Sequence, residues 1–328
     1  MYRYILYPGI FIAVLALSFL VLGVYSRFAF IPQTHKKLKN CAQKLPTEIN
    51  PNGRTVTFYG MCRNAMSNLA TTKANVISLS RFFSDYRVII LEDGSQDGTR
   101  EFIEKWRQED DRVTIVDGDT EEAQRAVDLF SSVVPKSDYW KGPKRIARYA
   151  SLRNQLHSAI KNSVMDSTFE PSCFVCMDMD QNVTIDEKGF YDSLLKMEED
   201  SNVVACTAYG KTAKPWQIPL TTYLYDSYAF LDEWLIHNNA DRMDKVKPKH
   251  IWYEKIDVKN KKFHQVVSNF GGLSIYKNTQ EFMNNFYAVE NIYNNRCDCE
   301  HVGFHKRLQA GNPQSKLLIG FETFFDSQ

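Results

Sequence analysis

Two apolar runs that end abruptly in acid constrain this chain most. Tyr86–Leu91 runs into Glu92-Asp93-Gly94, and Cys173–Met177 runs into Asp178-Met179-Asp180. A strand that is apolar at nearly every position is buried on both faces, the condition of a parallel sheet covered by helices on each side. Ligands of such sheets bind outside the carboxyl ends of the strands. Both acidic turns fall at such ends.

The rest of the chain repeats this alternation. Residue type and periodicity predict strands at Thr55–Cys62, Arg112–Val116 and Asn202–Ala208, besides the two above. Helices are predicted at Leu69–Phe83, Thr99–Glu109 and Arg145–Ile160, with Asp97 placed to cap the second. The expected fold class is therefore α/β, a doubly wound and mostly parallel sheet. Residues 55–210 carry the alternation. Residues 211–328 are less periodic and richer in Tyr, Trp, Asn and loops, and read as the second half of the same domain.

Residues Ile5–Tyr25 contain no charge and are long enough to cross a bilayer as a helix. Gly23-Val24-Tyr25-Ser26-Arg27 offers no Ala-x-Ala-like cleavage pattern, so residues 1–26 are expected to be an uncleaved transmembrane anchor. Residues 27–54, polar and bearing Pro32, Pro46 and Pro51, read as a stem. Arg27, Lys36, Lys37 and Lys39 follow the span and only Arg3 precedes it, a count that keeps the bulk of a single-pass protein cytoplasmic. The 40 basic and 39 acidic side chains nearly cancel, with no basic block, which argues against a nucleic-acid partner. Seven cysteines are present. Cys173 and Cys176, at i and i+3 of a strand, point to opposite faces and do not form a zinc knuckle. Most are expected to be buried thiols, with room for one disulfide if the domain is lumenal.

Asp178 and Asp180 stand at i and i+2 of an extended segment, so their carboxylates share a side. Hard oxygen donors of this kind suit Mn²⁺ or Mg²⁺, with positions left for phosphate oxygens and water. In Glu92–Thr99 the two glycines permit a tight turn close to a ligand. Asp93 there can accept hydrogen bonds from a base or ribose.

The stretch LEDGSQDGT resembles the DDGSxDGT turn of family 2 glycosyltransferases, which have the GT-A fold. That resemblance implies that Asp93 contacts a nucleotide, and that Asp178 and Asp180 hold the metal and the nucleotide sugar. Four later blocks, Arg145–Leu156, Tyr223–Phe230, Val266–Lys277 and Cys297–Leu308, are similar to family 69, the capsule-associated α-mannosyltransferases and their viral and bacterial relatives. The complete Asp178-x-Asp180 is closer to family 2, since family 69 members often carry an uncharged residue there. A lumenal domain, type II in the Golgi or endoplasmic reticulum of a eukaryote, is what the resemblance implies. It opposes the charge count.

Within that frame Arg153, with Arg145 and Arg148 on the same helix, is suited to phosphate. Arg63, after the first strand, is placed to reach the nucleotide. Gly271 and Gly272 are expected to bring backbone close to the sugar, and Asp226 to meet acceptor hydroxyls. Glu300 is the candidate general base, and His301 the third metal ligand, with His305 one helical turn further on. Glu300 and Asp226 are thus the expected catalytic residues. The expected activity moves a hexose, mannose among the candidates, from GDP-mannose or a UDP-hexose to a glycan hydroxyl. The alternative is a catalytically silent, membrane-anchored glycan-binding subunit of the same fold. A nucleotidylyltransferase is disfavoured, because Gly60–Asn68 contains a single glycine where such enzymes need a glycine-rich loop. Asn182-Val183-Thr184 fits the N-glycosylation pattern. A glycan there would obstruct the Asp178 site, so Asn182 is expected to be unmodified.

Overall fold

The computed structural model describes residues 49–130, 142–165, 168–212, 223–226, 228–233, 263–292 and 297–325. The apolar run 5–25 lies outside them. No helix among the described residues is long and apolar enough to cross a membrane.

Ten strands form one sheet: β1 Thr55–Cys62, β2 Asp85–Glu92, β3 Val113–Asp117, β4 Cys173–Met177, β5 Val183–Ile185, β6 Val203–Thr212, β7 Tyr223–Leu224, β8 His264–Val266, β9 Leu273–Lys277 and β10 Lys316–Phe325. The order is β3-β2-β1-β4-β9-β6-β10-β5, with β7 added to β6 and β8 to β10. The block β3-β2-β1-β4 is parallel throughout, as the apolar runs require. Beyond β4 that expectation fails. β9 enters antiparallel between β4 and β6, and only β6–β10 is parallel again. The sheet is mixed because a strand from the second half of the chain is inserted at its centre.

The helices are α1 Met66–Ser80, α2 Thr99–Glu109, α3 Thr120–Asp128, α4 Pro143–Met165, α5 Glu187–Glu199, the single turn α6 Gln280–Met283 and α7 Glu300–Ala310. They cover both faces of the sheet. Leu69, Val76, Ile103, Trp106, Phe190 and Leu194 bring α1, α2 and α5 to one face. Leu152, Leu156, Phe282, Val302 and Phe304 bring α4, α6 and α7 to the other. Strand alternation sorts neighbours between the two cores, Phe58 to the first and Tyr59 to the second. Cys173 and Cys176 divide the same way, and the six described cysteines are all buried.

α1 begins three residues earlier than its apolar pattern predicts, because its first amide is capped from another loop. The carboxylate of Asp97 accepts from Met66 N at 3.1 Å. The same carboxylate accepts from Thr99 N and Oγ1 at 3.1 and 2.6 Å. The N-cap position of α2 itself is held by Gly98, which makes no side-chain cap. Asp97 therefore joins two helix starts.

His157, in α4, is buried edge-on against Phe282, with ring centroids 5.0 Å apart. Burial, helped by Lys161, pulls it from 6.5 down to about 4. The folded state thus favours the neutral ring. Its contribution to stability is complete above pH 6.5 and is lost as pH falls through about 4. At about 1.4 kcal/mol per unit this is worth up to about 3 kcal/mol. Urea unfolding of wild type and His157→Leu between pH 7 and 4 should give a shallower loss of stability in the variant.

Candidate active site

The loops that follow β1 and β2 are stapled into one wall. Asn64 N donates to Ser95 Oγ at 2.9 Å, and Gln96 N donates to Asn64 Oδ1 at 2.9 Å. Ala65 N donates to Thr99 Oγ1 at 2.7 Å, and Ser95 N to Glu92 Oε1 at 2.6 Å. The turn is permitted by Gly94 and Gly98, at φ +66° and +91°.

This wall presents Asp93, buried, with its amide on Cys62 O at 3.1 Å. Nη2 of Arg148 lies 2.7 Å from both carboxylate oxygens. Nη1 of Arg63 stands 3.6 Å away and is half exposed. With Lys144 and Arg145 these residues line a cavity of about 500 Å³ whose charge is mainly positive.

β4 runs out into the same region. Met179 is fully buried, while Asp178 is half-buried and Asp180 exposed, so the two carboxylates share the cleft side as their spacing predicts. α1 holds the segment: Thr72 Oγ1 donates to Met179 O at 3.1 Å and Asn68 Nδ2 to Asp180 O at 2.7 Å. A second cavity of about 280 Å³ is lined by Asp178, Asp180, Asp226, Arg153, Glu300 and His301. Met61, Arg145, Tyr149 and Asp180 border both cavities, making one two-lobed cleft.

The smaller lobe is dense in carboxylates. Burial, then the charge of Asp180, pushes Asp178 up to about 7. Asp226, half-buried and at φ +54°, is driven well above the usual carboxylate range by burial and by Asp178 and Glu300. Such a cluster suits a cation. Asp178 and Asp180 supply two oxygen donors. Among the described residues no three His, Cys, Asp or Glu side chains form a metal set by themselves. The pair therefore fits a divalent ion that takes its other ligands from phosphate and water, as Mg²⁺ and Mn²⁺ do with one or two protein carboxylates.

His301 lines the same lobe but forms no three-ligand group with Asp178 and Asp180 among the described residues. Its ring is stacked on Phe270, centroids 4.2 Å apart, and both nitrogens are buried without a hydrogen-bond partner. Burial, then the charge of Arg153, pulls it well below the usual histidine value. His305 is held on both sides, Nδ1 at 2.9 Å from Ser268 Oγ and Nε2 at 2.8 Å from Tyr276 OH. Burial lowers it to about 3. It is a packed structural histidine.

Gly271 and Gly272 also differ from expectation. Their φ values are +62° and +82°, and the close approach they permit is to the protein itself. A Cβ on Gly271 would stand 1.9 Å from Ala208 O, and one on Gly272 2.1 Å from Phe325 Cζ. Gly272 O accepts the Asp178 amide at 3.0 Å, so this turn fixes the Asp178 strand end from behind. Phe270, not either glycine, lines the cleft.

Arg153 points inward, buried, with Nε 3.0 Å from Glu300 Oε1. Glu300 opens α7, where a negative charge is favoured by the helix dipole. Tyr225 was not singled out from sequence. Its hydroxyl donates to Asp178 Oδ2 at 2.8 Å and its ring stacks on Phe325 at 3.6 Å. Forty-seven residues separate Tyr225 from Asp178, so no local spacing marks the contact.

Residues 61–128 match the model of the family described as Glycosyl transferase family 2. The matched segment carries Arg63, the stapled loops and Asp93. No curated protein matches the chain. Solved structures similar to it include S. aureus TarS 1–349 in complex with UDP-GlcNAc, at 11% identity and TM-score 0.43, covering 84% of this chain and 59% of that one. GalNAc-T7 with UDP, GalNAc and Mn²⁺ is similar at 10% identity and TM-score 0.46, covering 85% and 45%. The mannosyltransferase PcManGT from Pyrobaculum calidifontis, in complex with GDP-Man and Mn²⁺, is similar at 13% identity and TM-score 0.30, covering 58% and 47%. The chain thus spans less than two thirds of the length of each.

Arg145 is the cation common to both lobes. If the basic lobe takes a nucleoside diphosphate, Arg145→Ala should weaken its binding about tenfold, the loss of one charge-assisted hydrogen bond. Calorimetric titration with UDP and GDP at fixed ionic strength checks this.

Proposed function

We propose that this protein is a metal-dependent glycosyltransferase that moves a hexose from a nucleotide diphosphate sugar to a glycan hydroxyl. One observation carries the reading. Asp178 and Asp180 end a buried strand at the junction of a basic lobe and an acidic lobe of one cleft. The basic lobe, with Asp93, Arg63, Arg148 and Arg145, takes the nucleoside diphosphate. The acidic lobe, with Asp226 and Glu300, takes the sugar and the acceptor hydroxyl. The family match at residues 61–128 supports the nucleotide side.

Asp178 and Asp180 would hold Mn²⁺ or Mg²⁺, whose chemistry there is to neutralise charge on the departing diphosphate. In a reaction that inverts the anomeric centre, Glu300 takes the acceptor proton as the new bond forms. Mannose is the sugar favoured by the resemblance of the later blocks to family 69. Anchoring through residues 5–25 belongs to the same reading and rests on sequence alone.

Asp180→Ala should lower turnover by at least a thousandfold and leave the circular dichroism spectrum and melting temperature near those of the wild type. Near-normal transfer by that variant would refute the metal role. A thermal-shift panel of GDP-mannose, UDP-glucose, UDP-galactose and UDP-GlcNAc, with and without Mn²⁺, names the donor. Silence toward all four in a well-folded sample would favour the glycan-binding alternative.

A further inference from the structure

Arg153 is placed differently from the other cations of the cleft. Arg63, Arg145 and Arg148 line the larger, basic lobe, where a diphosphate would lie. Arg153 does not border that lobe. It reaches from α4 into the floor of the smaller one, and little of its side chain meets solvent.

Its guanidinium is held on every side. Nε donates to Glu300 Oε1 at 3.0 Å, and Nη1 faces the buried thiol of Cys176 at 3.7 Å. The rings of Phe270 and Tyr287 flank it at 5.4 and 5.7 Å. Burial by itself would weaken its hold on the proton, but Glu300, with smaller contributions from Cys176, Tyr287 and Asp178, offsets this and the guanidinium stays charged. The planar fork thus lies between aromatic rings, hydrogen-bonded to Glu300, while its charge also reaches Asp178, Asp180 and Asp226.

Glu300 is correspondingly dependent on Arg153. It is buried at the start of α7, with Cys299 Sγ 3.4 Å from Oε2 and His301 Nε2 4.0 Å from Oε1. A buried carboxylate without a paired cation is costly. Asp226, in the same lobe, raises that cost by repulsion.

We infer that Arg153 is the positioning residue of Glu300, holding that carboxylate in place toward the acceptor, and is not a contact to the diphosphate. This rests on the transferase reading for the meaning of Glu300, but the contrast between the two roles of Arg153 is tested independently of turnover.

The full chain is compared as wild type, R153M, R153K, E300Q and R153M/E300Q. Binding of UDP and GDP in the presence of Mn²⁺ is titrated, and transfer kinetics are measured with the donor that the thermal-shift panel selects. R153M should leave the nucleoside diphosphate Kd and the donor KM within about threefold of wild type. It should lower kcat about a hundredfold, the lower range for loss of general-base action. R153K should recover part of that loss. In the E300Q background R153M should cost nothing further. A tenfold or greater rise in Kd or donor KM in R153M would overturn the inference, as would kcat losses that multiply in the double variant.

If R153M alone fails to fold, the double variant carries the test. Recovery of a wild-type-like melting temperature on adding E300Q supports the pairing, and an unchanged Kd excludes the phosphate role. Melting shifts that simply add would count against the pairing. A wild type that turns over no donor would fail the transferase reading, while the Kd and the melting cycle would still decide the role of Arg153.

Discussion

The site depends on the seam where the parallel half of the sheet meets the antiparallel half. β4 is paired with β1 on one side and with β9 on the other. At its carboxyl end the pairing continues one step beyond the strand, with Asp178 N donating to Gly272 O. This bond fixes the Asp178–Asp180 segment from behind, and Thr72 and Asn68 of α1 fix it from the front. Side chains at a pinned strand end have few directions available. The two carboxylates are therefore held at the mouth of the cleft, and the chain there is not free to relax away from their mutual repulsion.

Two glycines make the seam possible. The turn from Phe270 into β9 passes so close to Ala208 and Phe325 that neither Gly271 nor Gly272 has room for a Cβ. Both also lie at positive φ, which a side chain would strain. The demand for glycine is thus internal. The pair serves the site by delivering a backbone carbonyl to Asp178, and Thr323 Oγ1, donating to Gly271 O at 2.9 Å, ties the turn to β10 as well.

Charge is partitioned across the cleft, cations in the larger lobe and carboxylates in the smaller. Exposed and half-buried arginines, Arg63, Arg145 and Arg148, surround the larger lobe. The buried arginine of the cleft, Arg153, stands in the smaller lobe with a carboxylate already bound to it. His301, which lines the smaller lobe, is held low by burial and Arg153, and the basic character of the larger lobe comes from Arg63, Lys144, Arg145 and Arg148.

The sequence by itself determined the parallel half of the molecule. β1, β4 and α2 appear with the predicted ends, because continuous apolar runs and an amphipathic period are local properties that neighbours reinforce. The alternation of Asp178, Met179 and Asp180 followed from strand geometry alone. Tertiary structure decided everything that joins distant segments. The insertion of β9 beside β4, the capping of α1 by Asp97, the hydroxyl of Tyr225 on Asp178 and the pairing of Arg153 with Glu300 each link residues tens to more than a hundred positions apart. No period or motif encodes such contacts. A buried arginine and an exposed one have the same sequence signature, and only the packing of α4 against α7 makes Arg153 the partner of a carboxylate.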